Sequence, residues 1–196
     1  MIGTKVLEER TSKYNNDIKV VKTFGMGTYI QVNGLTQSGG IVESIWKRTL
    51  KKIHSSYPVI HNSLILGLGG GTVAKLIHKY WPQAKIIGVE IDKNMVELGE
   101  KYLELDRSKM KIVIGDASKF KTNNYDLVIV DTYLGDKVVD ITGSHLVNAG
   151  ITIFNRLYFG GKRPEAVRFG KKLEKIFTRV EYFYPEANLM LICYNS

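Results

Sequence analysis

The sequence predicts an α/β fold: a mostly parallel sheet buried on both faces, preceded by a small β-rich region. Three observations carry this reading. The stretch 63–92 reads SLILGLGGGTVAKLIHKYWPQAKIIGVEID. An apolar run, a glycine loop, an amphipathic segment and a second apolar run in that order form a βαβ unit. Two more short apolar runs follow, KIVIGD and YDLVIVD, as parallel strands covered on both faces read. The runs after the loop end in Glu90, Asp116 and Asp131. Ligands of open α/β sheets bind at the carboxyl ends of the strands, so these acids are expected to line one crevice beside the glycines.

Taken in chain order, residues 1–36 read as an N-terminal β-strand lid. IKVVK (18–22) and TYIQV (28–32) are strands joined by a turn through Phe24-Gly25-Met26-Gly27. Asn33-Gly34 is a turn signal. Residues 37–196 form the main domain. Gly39-Gly40 opens a helix, IVESIWKRTLKKI. Its apolar stripe is Ile41, Val42, Ile45, Trp46, Thr49, Leu50 and Ile53, and its other face carries Lys47, Arg48, Lys51 and Lys52. Pro58 lies in the link to the first sheet strand. Helices are expected over 72–80 and 93–104, the second with Asp92 as N-cap. After Asp131 the stretch DKVVDITGSHLVNAG shows no helical period. ITIFNRL (151–157) returns as a strand, and 163–177 reads as a helix with Pro164 near its start. RVEYFYP and NLMLICY close the chain as an antiparallel pair around Pro185.

At 196 residues, with 44% hydrophobic and 24% charged, the chain supports one substantial core and an ordinary globular composition. No apolar run approaches the roughly 20 residues of a membrane span. The start MIGTKVLEER lacks the apolar stretch of a signal peptide, so a cytoplasmic location is expected. The single Cys193 sits in an apolar run and reads as a small buried hydrophobe. His54, His61, His78 and His145 show no metal-ligand spacing, and no metal is expected. The formal charge of +9 allows a nucleic-acid partner without favouring one, because the lysines are spread along the chain and fall on helical faces.

The glycine loop fits G-x-G-x-G at Gly67, Gly69 and Gly71. The dinucleotide pattern needs a small residue at the sixth position, where Thr72 stands, so a dehydrogenase is the weaker reading. Missing side chains let a backbone approach its ligand closely. A carboxylate at Glu90 can accept from a ribose diol, and one at Asp116 from an adenine amino group. Asp131 faces the reacting end, where a carboxylate can orient an amine or take its proton. The competing local readings are a solvated strand end for Glu90, a turn residue for Asp116 and a cap for Asp131.

These residues resemble the spermidine synthase (polyamine aminopropyltransferase) family, whose fold is the Rossmann-like class I methyltransferase type. Ser12-x-Tyr14-x-x-Asp17-Ile18-x-Val20 is similar to that family's opening S-x-Y-Q-x-I-x-V strand, and Val32–Gln37 to its L-D-G-x-x-Q turn. LGLGGGTVAKL, VEID and GDA resemble its cofactor motifs, and DTYLGD occupies the place of its D-S-S-D segment. The resemblance covers residues about 12 to 131 and, more weakly, the remainder. It implies a transferase that binds S-adenosylmethionine or its decarboxylated form and alkylates an amine acceptor. Gln37, Gly67, Gly69, Gly71, Glu90 and Asp116 would hold the adenosyl ligand. Asp131 would act catalytically, with Tyr133 shaping the pocket or bonding the acceptor.

The chain departs from the family at several points. Gly70 stands where polyamine synthases carry an Asp. Val42–Arg48 replaces D-E-x-x-Y-H-E, keeping only Glu43 and an aromatic, Trp46. Leu134 replaces the second Asp of D-S-S-D, with Asp136 nearby. The changes remove negative charge from the polyamine pocket and add Lys47 and Arg48, so the expectation is a retained adenosyl site with a lost or altered polyamine pocket. A methyltransferase using intact S-adenosylmethionine and a catalytically silent adenosyl-binding module are the alternatives. If the short segment after Asp131 lacks a covering helix, one sheet face needs cover from the C-terminal elements or from another subunit, as in a homodimer.

Overall fold

The computed structural model describes residues 3–121, 124–135, 137–141 and 149–195. Asp136, His145 and the 142–148 part of the segment without helical period lie outside them.

The chain opens with a four-stranded antiparallel sheet in sequence order: β1 (Thr4–Ser12), β2 (Asn16–Thr23), β3 (Gly27–Val32) and β4 (Leu35–Gly39). Asn33 and Gly34 both take positive φ, 49° and 79°, the tight hairpin turn that their sequence signals. Ile18, Val20, Ile30 and Val32 line one face and pack on Met95 and Leu98. The sheet reaches Gly39, three residues beyond the 1–36 boundary read from sequence. Its fourth strand, LTQSG, has no apolar alternation to reveal it.

α1 (Gly40–Ser56) buries Ile45, Trp46, Thr49, Leu50 and Ile53 of the expected stripe, while Ile41 at its first turn is exposed and Val42 half-buried. The central sheet follows as β5 (Asn62–Leu66), α2 (Thr72–Tyr80), β6 (Lys85–Glu90), α3 (Lys93–Tyr102), β7 (Lys111–Ile114) and β8 (Leu127–Val130). Asp92 caps α3 by accepting from the Asn94 N–H. α3 stops two residues short of the expected 104, where Glu104 turns left-handed at φ 62°. A two-strand hairpin, β9 (Tyr133–Leu134) with β10 (Lys137–Val138), leads on to β11 (Ile151–Leu157). α4 (Lys162–Leu173), β12 (Arg179–Phe183) and β13 (Asn188–Tyr194) complete the chain. α4 ends at Leu173 rather than 177, because the chain tightens there: the Ile176 and Phe177 N–H groups both donate to the Leu173 carbonyl.

The seven-stranded sheet runs β12-β13-β11-β8-β5-β6-β7. All neighbouring pairs are parallel except those of β13, which runs antiparallel to β11 and β12. This is the mostly parallel, Rossmann-like methyltransferase architecture with an antiparallel C-terminal strand that the sequence predicts. Alternate residues of adjacent strands feed two cores. Ile65, Ile129, Ile153 and Ile192 meet α1 and α2. Leu64, Val128, Phe154 and Leu191 meet α4, with the Phe154 ring edge-on to Phe169 at 5.4 Å. Strand order reverses at β5 and β8, which opens a crevice at their carboxyl ends. Among the described residues no helix is long and apolar enough to cross a membrane.

Candidate active site

The loop from β5 to α2 forms the floor of that crevice. Gly67 has φ 89°, and a Cβ there would collide with the Asp131 carbonyl oxygen. Only glycine lets the loop pass so close to the end of β8. Gly71, at φ 86°, is the left-handed N-cap of α2. The Gly69 N–H donates to Glu90 Oε2 at 2.7 Å, and the Asp92 N–H to Glu90 Oε1 at 3.0 Å. Two bonds tie the N-terminal sheet to the loop: Gly70 N–H to Ser38 Oγ and Gly39 N–H to Thr72 Oγ1, each 2.8 Å. Asp92 also accepts from Ser12 Oγ and, at 2.8 Å, from Asn15 Nδ2. The sheet is therefore bonded along its length as a wall of the crevice.

The crevice is a cleft of about 260 Å³. Gln37, Gly67, Gly69, Glu90, Asp116, Asp131 and Tyr133 line it, as expected from sequence. Gly71 does not line the cleft; its part is to start α2. Glu90 is buried at 8% exposure. Burial raises its pKa above the ordinary carboxylate value, opposed by backbone N–H bonds from Asp92, Gly69 and Ile91. A carboxyl group offers roughly four acceptor sites, so capacity remains for a ligand hydroxyl. Asp116 caps the turn at 117–119, accepting from the Ser118 N–H and Oγ at 2.9 and 2.7 Å. Those bonds lower its pKa. Both readings of Asp116, turn residue and cleft residue, hold together in the structure.

Asp131 is the most constrained acid. Trp46 Nε1 donates to Oδ2 and Asn155 Nδ2 to Oδ1, both at 2.9 Å. Asn188 Nδ2 in turn donates to Asn155 Oδ1 at 2.7 Å. A chain of bonds from Asn188 on β13 through Asn155 on β11 thus fixes one side of the carboxylate just past the end of β8, and α1 fixes the other. Burial raises its pKa to about 6, and the two donors oppose the shift. Sequence reading missed Asn155, Asn188 and the role of Trp46. Asparagines at buried strand ends were the available signal, because buried amides demand partners.

The Tyr133 hydroxyl donates to the Asn155 carbonyl and accepts from the Leu157 N–H, both at 3.1 Å. It holds the edge of β11, and burial pushes its pKa upward. Gln37 Nε2 donates to the Gly135 carbonyl at 2.9 Å, joining β4 to the loop beyond Tyr133.

Beyond Asp131 the cleft meets a second pocket of about 220 Å³, which shares Gln37, Val42, Asp131 and Tyr133 with it. Two sequence expectations need correction here. Lys47 and Arg48 are exposed on the outer face of α1 and line neither pocket. Arg48 pairs with Glu186 at 3.0 Å. The helix turns its apolar stripe inward, so these cations do not set the charge of the pocket. Gly70 likewise faces away from the cleft. A Cβ there would lie 2.8 Å from Ile30 Cδ1 and 2.9 Å from Leu103 Cδ1, inside the packing between the loop and the N-terminal sheet.

A family model for a methyltransferase domain matches residues 64–141. The polyamine aminopropyltransferase of Clostridium botulinum (strain Eklund 17B / Type B) is 32% identical over 124 residues, covering 59% of this chain and 44% of that protein. An eEF1A lysine and N-terminal methyltransferase homolog of Drosophila melanogaster is 41% identical over 68 residues, covering 34% of this chain and 10% of that protein. Among solved structures, a spermidine synthase in complex with the transition-state analogue AdoDATO superposes with a TM-score of 0.77 at 18% identity. That match covers 98% of this chain and 74% of the other. The chain spans about half the length of the curated polyamine aminopropyltransferases it matches, 44% and 50% of the first two.

Proposed function

We propose that this chain, similar to the polyamine aminopropyltransferases over 59% of its length and folded like a methyltransferase, is a transferase alkylating an amine from an adenosyl sulfonium donor. The observation that carries the reading is the place of Asp131: a buried, doubly held carboxylate where the nucleotide-type cleft meets a side pocket.

In this reading Glu90 accepts from the ribose hydroxyls, and Asp116 from the adenine amino group. Gly67 and Gly69 let the backbone lie against the adenosyl group, Gly71 sets the start of α2, and Gln37 closes the cleft from β4. The cleft fits such a ligand because Glu90 and Asp116 both retain acceptor capacity and the loop has no side chains to fill it. The bound donor supplies a carbon whose bond to sulfur breaks as the amine nitrogen bonds to it, the neutral thioether leaving with the electron pair. Asp131 pairs with the amine, aligns its lone pair and takes the proton released as the C–N bond forms. Tyr133 keeps β11, and so Asn155, in register with Asp131. The N-terminal sheet acts as the lid of the cleft, held shut in this state by Ser38, Thr72 and Asp92.

A second reading is methyl transfer from intact S-adenosylmethionine. It is favoured by the methyltransferase-domain match over residues 64–141; Gly70, facing away from the cleft, does not bear on it. Calorimetric titration with S-adenosylmethionine, its decarboxylated form and 5′-methylthioadenosine tests both. Preference for the decarboxylated form supports aminopropyl transfer, and preference for the intact form supports methyl transfer. Binding of none of them would overturn the transferase reading.

A further inference from the structure

We propose that the side pocket beside Asp131 receives a primary amine bearing one apolar group, and that it disfavours a linear diamine. The inference rests on the transferase reading and gives its acceptor a chemical class.

The pocket joins the polar groups of Asp131, Thr36, Gln37, Tyr133, Asn155 and Asn188 to an apolar wall. Ile41, Ile45, Leu157 and Phe159 form that wall. Among the described lining residues Asp131 is the only carboxylate. An ammonium at Asp131 gains a charged, oriented partner. A second ammonium a few carbons away would lie against alkyl and aromatic groups with no counter-charge among the described residues, which is costly where the pocket is desolvated. The two lining asparagines are engaged with each other and with Asp131. Glu186, the acid next to lining residue Ala187, is paired with Arg48. Ile41 and Phe159 remain 41% and 43% exposed, so the pocket opens to solvent through an apolar lip. A hydrocarbon tail has somewhere to go, and a second charge meets no carboxylate partner on the way among the described residues.

The test is calorimetric titration of the full chain with butylamine and with 1,4-diaminobutane, each with and without 5′-methylthioadenosine. The two amines differ only in the second charge. Butylamine is expected to bind at least about tenfold more tightly. Ile41→Glu places a carboxylate at the exposed lip, where the fold tolerates it, and is expected to narrow the gap by strengthening the diamine. Equal or tighter binding of the diamine to the unaltered protein would overturn the proposal. So would a preference for a lysine-containing peptide, an unmoved preference in folded Ile41→Glu, or no butylamine binding. Butylamine binding without 5′-methylthioadenosine binding would uphold the pocket assignment and sink the transferase reading on which the acceptor role depends.

Discussion

Replacing Asp131 by Asn separates chemistry from architecture, because the structure gives this carboxylate two measurable signatures. The first is kinetic. With a pKa of about 6, Asp131 is about one-eleventh ionised at pH 5 and about ten-elevenths ionised at pH 7. If it accepts the proton, kcat rises roughly tenfold between those values. The variant keeps the shape of the side chain and loses the base, so turnover should fall by about 10²–10⁴ and the acid limb should vanish. The second signature is thermodynamic. Burial raises the pKa from 3.8 to about 6, so the folded state binds the proton more tightly than the unfolded chain. Stability from this group is fully present below about pH 4 and is lost as pH rises through about 6. The loss is up to about 3 kcal/mol. Asn does not titrate, so the variant gains on the parent protein as pH rises from 4 to 7, against a fixed loss of one bond because its NH₂ faces a donor. Initial rates of thioether release from pH 5 to 8, and urea unfolding at pH 4 and 7, read the two effects. An acid limb that persists in the variant would remove Asp131 from proton transfer. A stability difference independent of pH would contradict its burial as the cause of the shift.

Other consequences concern its neighbours. Trp46→Phe removes the Nε1 donor to Asp131, so the carboxylate pKa should rise and the acid limb of the rate should move to higher pH. An unmoved limb would make Trp46 a packing residue only. Glu90→Gln exchanges one carboxyl oxygen for an NH₂ that cannot accept, and adenosyl-ligand affinity should weaken by about 10- to 100-fold. Unchanged affinity in calorimetry would place the ribose elsewhere. Gly70→Asp drives a side chain into Ile30 and Leu103, so unfolding stability should fall by about 1–3 kcal/mol with no gain in preference for a decarboxylated donor. Such a gain would show that the loop turns position 70 into the cleft when ligand binds.

Much of this architecture is local in origin and therefore legible in the residues. The apolar runs of β5, β6, β8 and β11, the stripe of α1, the Asp92 cap and the Asn33-Gly34 turn each follow from short-range patterning and backbone sterics. So does the gathering of Glu90, Asp116 and Asp131, since parallel strands bring their carboxyl ends to one edge. What the pattern cannot contain is the direction a side chain faces once elements pack. Lys47 and Arg48 look like pocket residues until α1 lays its apolar stripe on the sheet and turns them outward. Gly70 looks like a lost ligand until Ile30, 40 residues earlier, and Leu103, 33 later, close over it. The bonds that hold Asp131 come from Trp46 and Asn155, 85 and 24 residues away. Such bonds leave no periodic trace, because they are set by the meeting of elements and not by the propensity of any one of them. Chain-local physics determined the fold and the line of acids; only tertiary packing decided which acid is desolvated and what the pocket beside it lacks.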